Sequence, residues 1–436
     1  MINLEDTIVA CATPPGSGAI SSIRISGKDC SKLYKKISGK SMAHKEIHIS
    51  EIELSSGIKE KCVLTSFISP NSYTGEDTIE ISCHGNPLIV ELLITKLKTL
   101  DCRDAQPGEF TMRSYLNGKV SLIEAEAISD LISARSIENI KAVNKSLAGS
   151  FEKKIDELIF ELKSMRARVE GEIDFNDQDT NIDLSEIKAN LDSFHIIIED
   201  FINTTSDAVL MNEGIKTIIT GPENVGKSTL MNVFTKKKTS IVSEIAGTTR
   251  DLVTKSVKIH GLVFDLIDSA GLSSRAKDKI EEIGTNLAKN ALEEADLIIE
   301  VVDHNNPNYE MTYPKGKKVV KVLNKSDLAG DEKTKRINIS AKYEHNITKL
   351  ENCLVDAVFS SKNQVLGGFS ARSRHLNLLN SCNDEILRAC SLCEEFSIEL
   401  CAEHLKNASG YLGQIKSPYS SDDLLGEIFS SFCIGK

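Results

Sequence analysis

Gly221-Pro222-Glu223-Asn224-Val225-Gly226-Lys227-Ser228 fits the pattern G-x-x-x-x-G-K-[ST] without a mismatch. Its flanks decide the local fold. Ile215-Lys216-Thr217-Ile218-Ile219-Thr220 reads as a short buried strand, and Ser228 to Phe234 reads as a helix start. A glycine loop between strand and helix is built to hold phosphate, because backbone N–H groups can turn inward there without Cβ clashes. Lys227 can reach β- and γ-phosphates, and Ser228 offers a hydroxyl to Mg²⁺.

Further strands and helices alternate downstream. With 215–220, the stretches 257–267, 296–302 and 317–323 are the strand candidates of an α/β sheet over residues 214–361. On either side the pattern becomes helical. Ile123, Ala127, Ile128, Leu131 and Ile132 form one apolar stripe, and Ile155, Leu158, Ile159, Leu162 and Met165 form another. The helical period returns after about residue 370, so the sheet segment reads as an insertion into a helical domain. Residues 1–119 mix short β-like runs (Thr7–Ala12, Ala19–Ile25, Val63–Ile68, Thr78–Ser82) with one helix from Pro87 to about Leu100, an α+β pattern. The expected domains are 1–119, 120–213 with 362–436, and the inserted 214–361.

Three more signatures fall at strand ends. Asp268-Ser269-Ala270-Gly271 places a carboxylate where it can hold Mg²⁺ through water and a glycine N–H where it can meet a γ-phosphate. Asn324-Lys325-Ser326-Asp327 supplies a carboxylate that can accept from both guanine N1–H and the 2-amino group, a pair adenine lacks. Ser340-Ala341-Lys342 is weak alone and gains weight from its position. Between the first two lies Ser243-Glu244-Ile245-Ala246-Gly247-Thr248-Thr249-Arg250-Asp251, with Thr249 placed to give Mg²⁺ a second hydroxyl. In this order the signatures resemble those of GTPases.

The hydrolytic machinery departs from the Ras-like pattern. Leu272 stands where those enzymes carry a water-orienting Gln, and no cis arginine finger can be assigned, Arg250 being a candidate by proximity alone. Such a finger is worth roughly 10³–10⁵ in rate, about 4–7 kcal/mol. Asn224, inside the phosphate loop, has a side-chain oxygen able to coordinate a monovalent cation. Glu281 can act on water, although its spacing alone fits a solvated helix residue better.

Hydrophobic content of 40% and charged content of 26% belong to a globular protein, and no run approaches the roughly 18 apolar residues of a membrane helix. The net charge of −11 argues against a broad nonspecific nucleic-acid surface. The N-terminus lacks a signal-peptide pattern, so the 11 cysteines read as reduced cytoplasmic thiols. Cys390-x-x-Cys393, with Cys382, Cys401, His375 and His404 nearby, could start a zinc site. The three-, four- and eight-residue steps favour a helical core stripe of small hydrophobes instead.

The whole chain resembles the MnmE (TrmE) family of bacterial tRNA-modification GTPases. The resemblance rests on Asp6-Thr7-Ile8-Val9-Ala10, Ala12-Thr13-Pro14-Pro15-Gly16-Ser17-Gly18, Tyr73-Thr74-Gly75-Glu76-Asp77 and Pro107-Gly108-Glu109-Phe110-Thr111. It continues through Glu124-Ala125-Glu126-Ala127-Ile128, Gly367-Gly368-Phe369 and Asp422-Asp423-Leu424-Leu425-Gly426 to the tail Phe432-Cys433-Ile434-Gly435-Lys436. It implies a multidomain α/β protein: an N-terminal α+β folate-binding-like domain, a central all-α helical domain and an inserted Ras-like α/β P-loop G domain.

The resemblance also implies site residues. GTP would be bound by Asn224, Val225, Gly226, Lys227, Ser228 and Thr229; by Ser243, Glu244, Ile245, Ala246, Gly247, Thr248 and Thr249; by Asp268, Ser269, Ala270 and Gly271; and by Asn324, Lys325, Ser326 and Asp327. K⁺ would meet Asn224, Ser243, Ile245 and Thr248, and Mg²⁺ would meet Ser228 and Thr249. Glu281 matches the family's catalytic glutamate. A tetrahydrofolate such as the 5-formyl form would meet Arg24, Glu80, Lys119 and Lys436, each of which reads as an ordinary surface charge without the resemblance. The family forms homodimers and works with an FAD-binding MnmG (GidA)-type partner. Together they place an aminomethyl or carboxymethylaminomethyl group on carbon 5 of the tRNA wobble uridine. The acidic charge here suggests that tRNA is held largely by that partner. A ribosome-assembly GTPase, which would not need the N-terminal folate-like motifs or Lys436, and a stand-alone folate-dependent one-carbon enzyme with a regulatory G domain are the alternatives; analysis of tRNA wobble uridines separates the three. Cys433, fourth from the end, is a poor prenylation box because Gly435 and Lys436 fit that motif badly.

Overall fold

The computed structural model describes residues 5–175, 184–237, 254–268, 290–303, 309, 311–329, 335–359, 368–394, 397–417, 422–430, 432 and 434–435. The chain divides into two units, Met1–Ser129 with Gly413–Lys436, and Asp130–Leu412.

Alternating side chains build the sheet of the first unit. Strands β1 (Thr7–Cys11), β2 (Ile20–Ser26), β3 (Glu46–Ser55), β4 (Ile58–Phe67), β5 (Thr78–His84) and β6 (Cys102–Asp104) lie in the order β3-β4-β5-β2-β1-β6. All neighbours are antiparallel except β1 and β6. In β5, Ile79, Ile81 and Cys83 point into the core, whereas Glu80 and Ser82 point to the other face. Helices α1 (Cys30–Ser38) and α2 (Pro87–Lys98) complete that core with Leu33, Tyr34, Leu93 and Leu97. α2 starts where it does because the Asn86 side chain accepts from Leu88 N at 2.9 Å, and Pro87 sits where a missing N–H costs nothing.

Helix α3 (Glu109–Leu116) is almost entirely buried, charges included. Burying them is tolerable because they pair. Glu109 Oε1 accepts from Arg103 Nη2 at 2.7 Å and from Arg113 Nη2 at 2.9 Å, and Arg113 Nη1 also reaches Glu76 Oε2 at 3.1 Å. The C-terminal helix Asp422–Ser430 packs on this region through Phe429, which with Phe432 and Met112 forms an apolar cluster. Gly435 then lies against β1: a Cβ there would be 2.4 Å from Cys11 O.

The second unit carries helices α5 (Ile137–Leu147), α6 (Ser150–Phe175) and α7 (Leu184–Glu213), preceded by α4 (Leu122–Ser133), which begins in the first unit's residues. In α4, Ile123 and Ala127 are buried as expected, but Leu131 and Ile132 are exposed, so the apolar stripe ends a turn early. In α6, Ile155, Leu158 and Leu162 are buried.

The second sheet follows: β7 (Ile215–Thr220), α8 (Lys227–Lys237), β8 (Thr254–Ile259), β9 (Leu262–Asp268), β10 (Leu297–Asp303), β11 (Lys318–Asn324), α9 (Ser326–Ala329), β12 (Ile337–Asn338) and α10 (Ile347–Val358). Its order is β12-β11-β10-β7-β9-β8, parallel except for β8. The single strand expected at 257–267 is instead a hairpin. His260 at φ 51 and Gly261 at φ 83 make the tight left-handed turn that joins β8 to β9.

After the sheet come α11 (Ser373–Glu394) and α12 (Ile398–Lys416). Helices from before and after the sheet segment pack on each other. Arg372 Nη2 donates to Asp130 Oδ1 at 2.7 Å, Ser146 Oγ donates to Ser370 O at 3.1 Å, and Phe151 stacks near Phe201, Phe369 and His375. Entry into the sheet is a one-residue joint, Gly214, between α7 and β7. There Arg135 donates to Glu213 O at 2.8 Å and to both carboxylate oxygens of Asp265 in β9, at 3.0 and 3.1 Å.

Among the described residues, no three metal-capable side chains converge and no helix is long and apolar enough to cross a membrane. Cys382, Cys393 and Cys401 are core residues, as the helical stripe predicts, whereas Cys390 of the same stripe is only half-buried.

Candidate nucleotide-binding site

β7 is flanked by β10 on one side and β9 on the other, so the chain leaves it in a crevice at the carboxyl ends of parallel strands, where α/β sheets bind ligands. The loop Gly221–Ser228 fills that crevice. Its glycines are needed for space as well as for dihedral freedom. Gly221 has φ 144, and a Cβ there would be 1.9 Å from Val301 O; Gly226 has φ 98, and a Cβ would be 2.4 Å from Asn324 Nδ2. Asn224 takes φ 60, a left-handed conformation that Asn tolerates better than most residues, and its side chain is exposed.

Lys227 opens α8 and is 7% exposed. Its ammonium donates to Gly221 O at 2.8 Å and Pro222 O at 2.6 Å, so it lies back across the loop that precedes it. Burial lowers its pKa, opposed by the negative charges of Asp268 and Glu223. Ser228 Oγ donates to Asp268 Oδ2 at 3.0 Å, which joins the loop to the end of β9. Thr229, next on α8, is exposed.

The third and fourth signatures are wired into the first. Asn324, at the end of β11 and 3% exposed, donates from Nδ2 to Val225 O at 2.8 Å and accepts at Oδ1 from Ala341 N at 2.9 Å. Lys325, at φ 64, reaches Asp303 Oδ2 at 2.6 Å. Ser326 N donates to Ile339 O at 3.0 Å. Asp327 is exposed, and its Oδ1 accepts from Ser340 Oγ at 2.5 Å. Asp303 was missed at the sequence level; its signal is an Asp at the end of Leu297–Val302, apolar apart from Glu300. Ser243 to Thr249, Ser269 to Gly271, Leu272 and Glu281 lie outside the described residues.

In the first unit, Arg24 of β2 and Glu80 of β5 are cross-strand partners, with Arg24 Nη2 2.7 Å from Glu80 Oε1. The Arg24 guanidinium also stands over the Tyr73 ring at 5.2 Å. Lys119 Nζ donates to Pro70 O at 3.0 Å, and its side chain lines Gly75. Lys436 and Cys433 lie outside the described residues.

Comparison with known proteins accounts for both halves of the chain. The family model of the GTP-binding protein TrmE N-terminus matches residues 7–119, and the MnmE helical domain model matches residues 122–433. Proteins named tRNA modification GTPase MnmE from Francisella tularensis subsp. holarctica and Francisella philomiragia subsp. philomiragia are 37% and 38% identical over 450 aligned residues. Each alignment covers 99% of this chain and 99% of the relative. A third, from Francisella tularensis subsp. novicida, is 37% identical with the same coverage. With both family models matched and its relatives aligned over 99% of its length, the chain belongs to the MnmE (TrmE) family of tRNA modification GTPases.

Proposed function

We propose that this GTPase is stimulated by K⁺ and acts with an FAD-dependent MnmG (GidA)-type partner. Together they modify carbon 5 of the wobble uridine of tRNA, adding an aminomethyl or carboxymethylaminomethyl group with a tetrahydrofolate as one-carbon donor. The observation that carries the nucleotide half is the Asn324 amide, which ties Val225 of the phosphate loop to Ala341 of the fourth signature. One side chain thereby sets the distance between phosphate recognition and base recognition, and Asp327 stands beside it to accept from guanine.

The oxygen donors at the phosphate loop fit the ions assigned to the site. Ser228 Oγ and Asp268 Oδ2 are hard oxygens 3.0 Å apart, the chemistry that Mg²⁺ takes; Ser228 would bind it directly together with Thr249. The Asn224 amide oxygen, on a left-handed residue at the loop's exposed turn, suits K⁺ in company with Ser243, Ile245 and Thr248. A monovalent cation there supplies the positive charge that an arginine finger gives other GTPases. Lys227 holds phosphate charge, and Glu281 orients and deprotonates the attacking water. Glu281→Gln then spares GTP binding and slows hydrolysis at least about a hundredfold; a near-normal rate would return Glu281 to a solvated face.

Arg24 and Glu80 fit a flat heterocycle that bears N–H groups: the carboxylate accepts from its edge while Tyr73 and the guanidinium give stacking surfaces. Lys119 and Lys436 match the carboxylates of a glutamate tail. GTP hydrolysis drives pairing and opening of G domains in a cytoplasmic homodimer, which assembles with the partner into a heterotetramer; tRNA is held mainly by the partner. The division into 1–119, 120–213 with 362–436, and 214–361 belongs to the same proposal. Nucleoside mass spectrometry of tRNA from cells lacking the gene tests it. Loss of the carbon-5 substituent is expected, and unchanged wobble uridines would sink the reading.

A further inference from the structure

Eight residues apart in sequence, Cys393 in the last turn of α11 and Cys401 in the first turn of α12 bring their sulfurs to 3.4 Å. Neither thiol is needed for nucleotide, ion or folate chemistry. Both are buried, Cys401 fully and Cys393 with 4% exposure. Cys390 lies one helical turn before Cys393 and is half-buried. From α7, Lys188 and Asp192 lend their charges to these sulfurs.

We propose that Cys393 and Cys401 form a reversible disulfide when the protein meets a peroxide. The geometry needs little movement. A disulfide is about 2.05 Å long, so the sulfurs must close by about 1.4 Å. That is within reach of side-chain rotation at the ends of two helices. The electrostatics assign the roles. The hydrogen bond from Cys401, with Lys188 nearby, lowers the pKa of Cys393, while the same bond and burial raise that of Cys401. Of the two, Cys393 is therefore the one that gives up its proton more readily, and Cys401 the one that holds it.

The reaction balances with hydrogen peroxide as oxidant. The Cys393 thiolate attacks one peroxide oxygen; the O–O bond breaks, hydroxide leaves and Cys393 becomes a sulfenic acid. Cys401 sulfur then attacks Cys393 sulfur, the S–O bond breaks and a second hydroxide leaves. The two hydroxides take the Cys401 proton and the proton lost from Cys393, giving two waters. The peroxide is reduced by two electrons and the thiol pair is oxidised by two. A small oxidant suits so closed a site. The other buried thiols offer a contrast: burial pushes Cys62 up to about 12 and Cys83 up to about 11, so both stay protonated and unreactive.

The test uses the purified full-length chain treated with dilute hydrogen peroxide, then denatured and alkylated. The expected count of alkylated cysteines falls from 11 to 9 and returns to 11 after dithiothreitol. Trypsin leaves Cys390, Cys393 and Cys401 on one peptide, residues 389–406; a protease that cuts after Glu394, Glu395 and Glu399 separates Cys401 from the other two, and fragment-ion sequencing of residues 386–394 then shows whether Cys390 or Cys393 carries the link. The bond should join Cys393 to Cys401. Cys401→Ser should abolish it and leave a dimedone-reactive sulfenic acid at Cys393, while Cys390→Ser should leave it intact. All 11 thiols still alkylated after peroxide, or a link that maps to Cys390, overturns the proposal. Both readings come from the wild-type chain, so they stand even if a variant fails to fold.

Discussion

Asn324 and Val225 are 99 residues apart in sequence, yet the amide of one donates to the carbonyl of the other at 2.8 Å. The same side chain accepts from Ala341 N at 2.9 Å, so a single buried amide closes the crevice from both sides. Asn324→Ala leaves a carbonyl and an N–H buried without these partners. Each such group costs about 1–3 kcal/mol. We expect GTP and GDP affinity to fall by roughly 2 kcal/mol, about thirtyfold, with a lower melting temperature. Fluorescent nucleotide titration checks this; affinity within about twofold of wild type would remove the bridge from its assigned role.

Gly221→Ala makes a sharper demand. The new methyl would sit 1.9 Å from Val301 O on a residue at φ 144. Loop and strand must separate, so we expect nucleotide binding to be lost and stability to drop by about 3 kcal/mol or more. Denaturant unfolding read beside nucleotide titration measures both. The neighbouring exposed change Glu223→Ala serves as control and should be nearly silent.

Cation choice tests Asn224. GTP turnover in K⁺ should exceed turnover in Na⁺ at equal ionic strength, and Asn224→Ala should bring the two rates together while GTP still binds. Wild-type rates that are equal in the two salts would take Asn224 out of cation binding.

The first unit should fail in acid, and Glu109 says why. Burial pushes its carboxyl up, but hydrogen bonds from Arg103, from the Gln106 backbone N–H and from Arg113 outweigh burial and leave its pKa below the ordinary 4.5. A carboxyl whose folded pKa is depressed binds fewer protons when folded than when unfolded. Its stabilisation is therefore fully present above about pH 4.5 and is lost as pH falls through the lower folded value. Thermal unfolding between about pH 6 and pH 3 should show this loss. Glu109→Gln should be less stable at neutral pH and show a shallower acid limb. A variant with the wild-type slope would exclude Glu109 as its source.

Much of the crevice was legible because its residues obey local rules. Strand, glycine loop and helix are contiguous, so the strand 215–220 and the helix start at Ser228 to Phe234 are readable from pattern alone, within a helix that runs Lys227–Lys237. The hairpin was not, because its turn is only the two residues His260 and Gly261, too short to interrupt the apolar pattern that Val257 and Ile259 begin and Leu262 and Phe264 continue. α1 was missed because its sequence is mostly Lys and Ser, with only Cys30, Leu33 and Tyr34 turned fully inward. α3 was missed for the opposite reason: its inward face includes Glu109 and Arg113, and only the tertiary partners Arg103 and Glu76 make those charges tolerable inside. Arg24 and Glu80 look like unrelated surface charges until the β2–β5 register sets them side by side. Long-range pairing of that kind has no local signature.

The Gly214 joint sets how force passes through the second unit. A long flexible tether would let the sheet rock without disturbing its surroundings. Here one residue separates α7 from β7, and the Arg135 guanidinium grips the end of that helix and the middle of β9 together. β9 runs on to Asp268, which meets Ser228. The connection is a stiff lever with its fulcrum at Arg135, and a tilt of the sheet is handed to a 30-residue helix instead of being absorbed in slack chain.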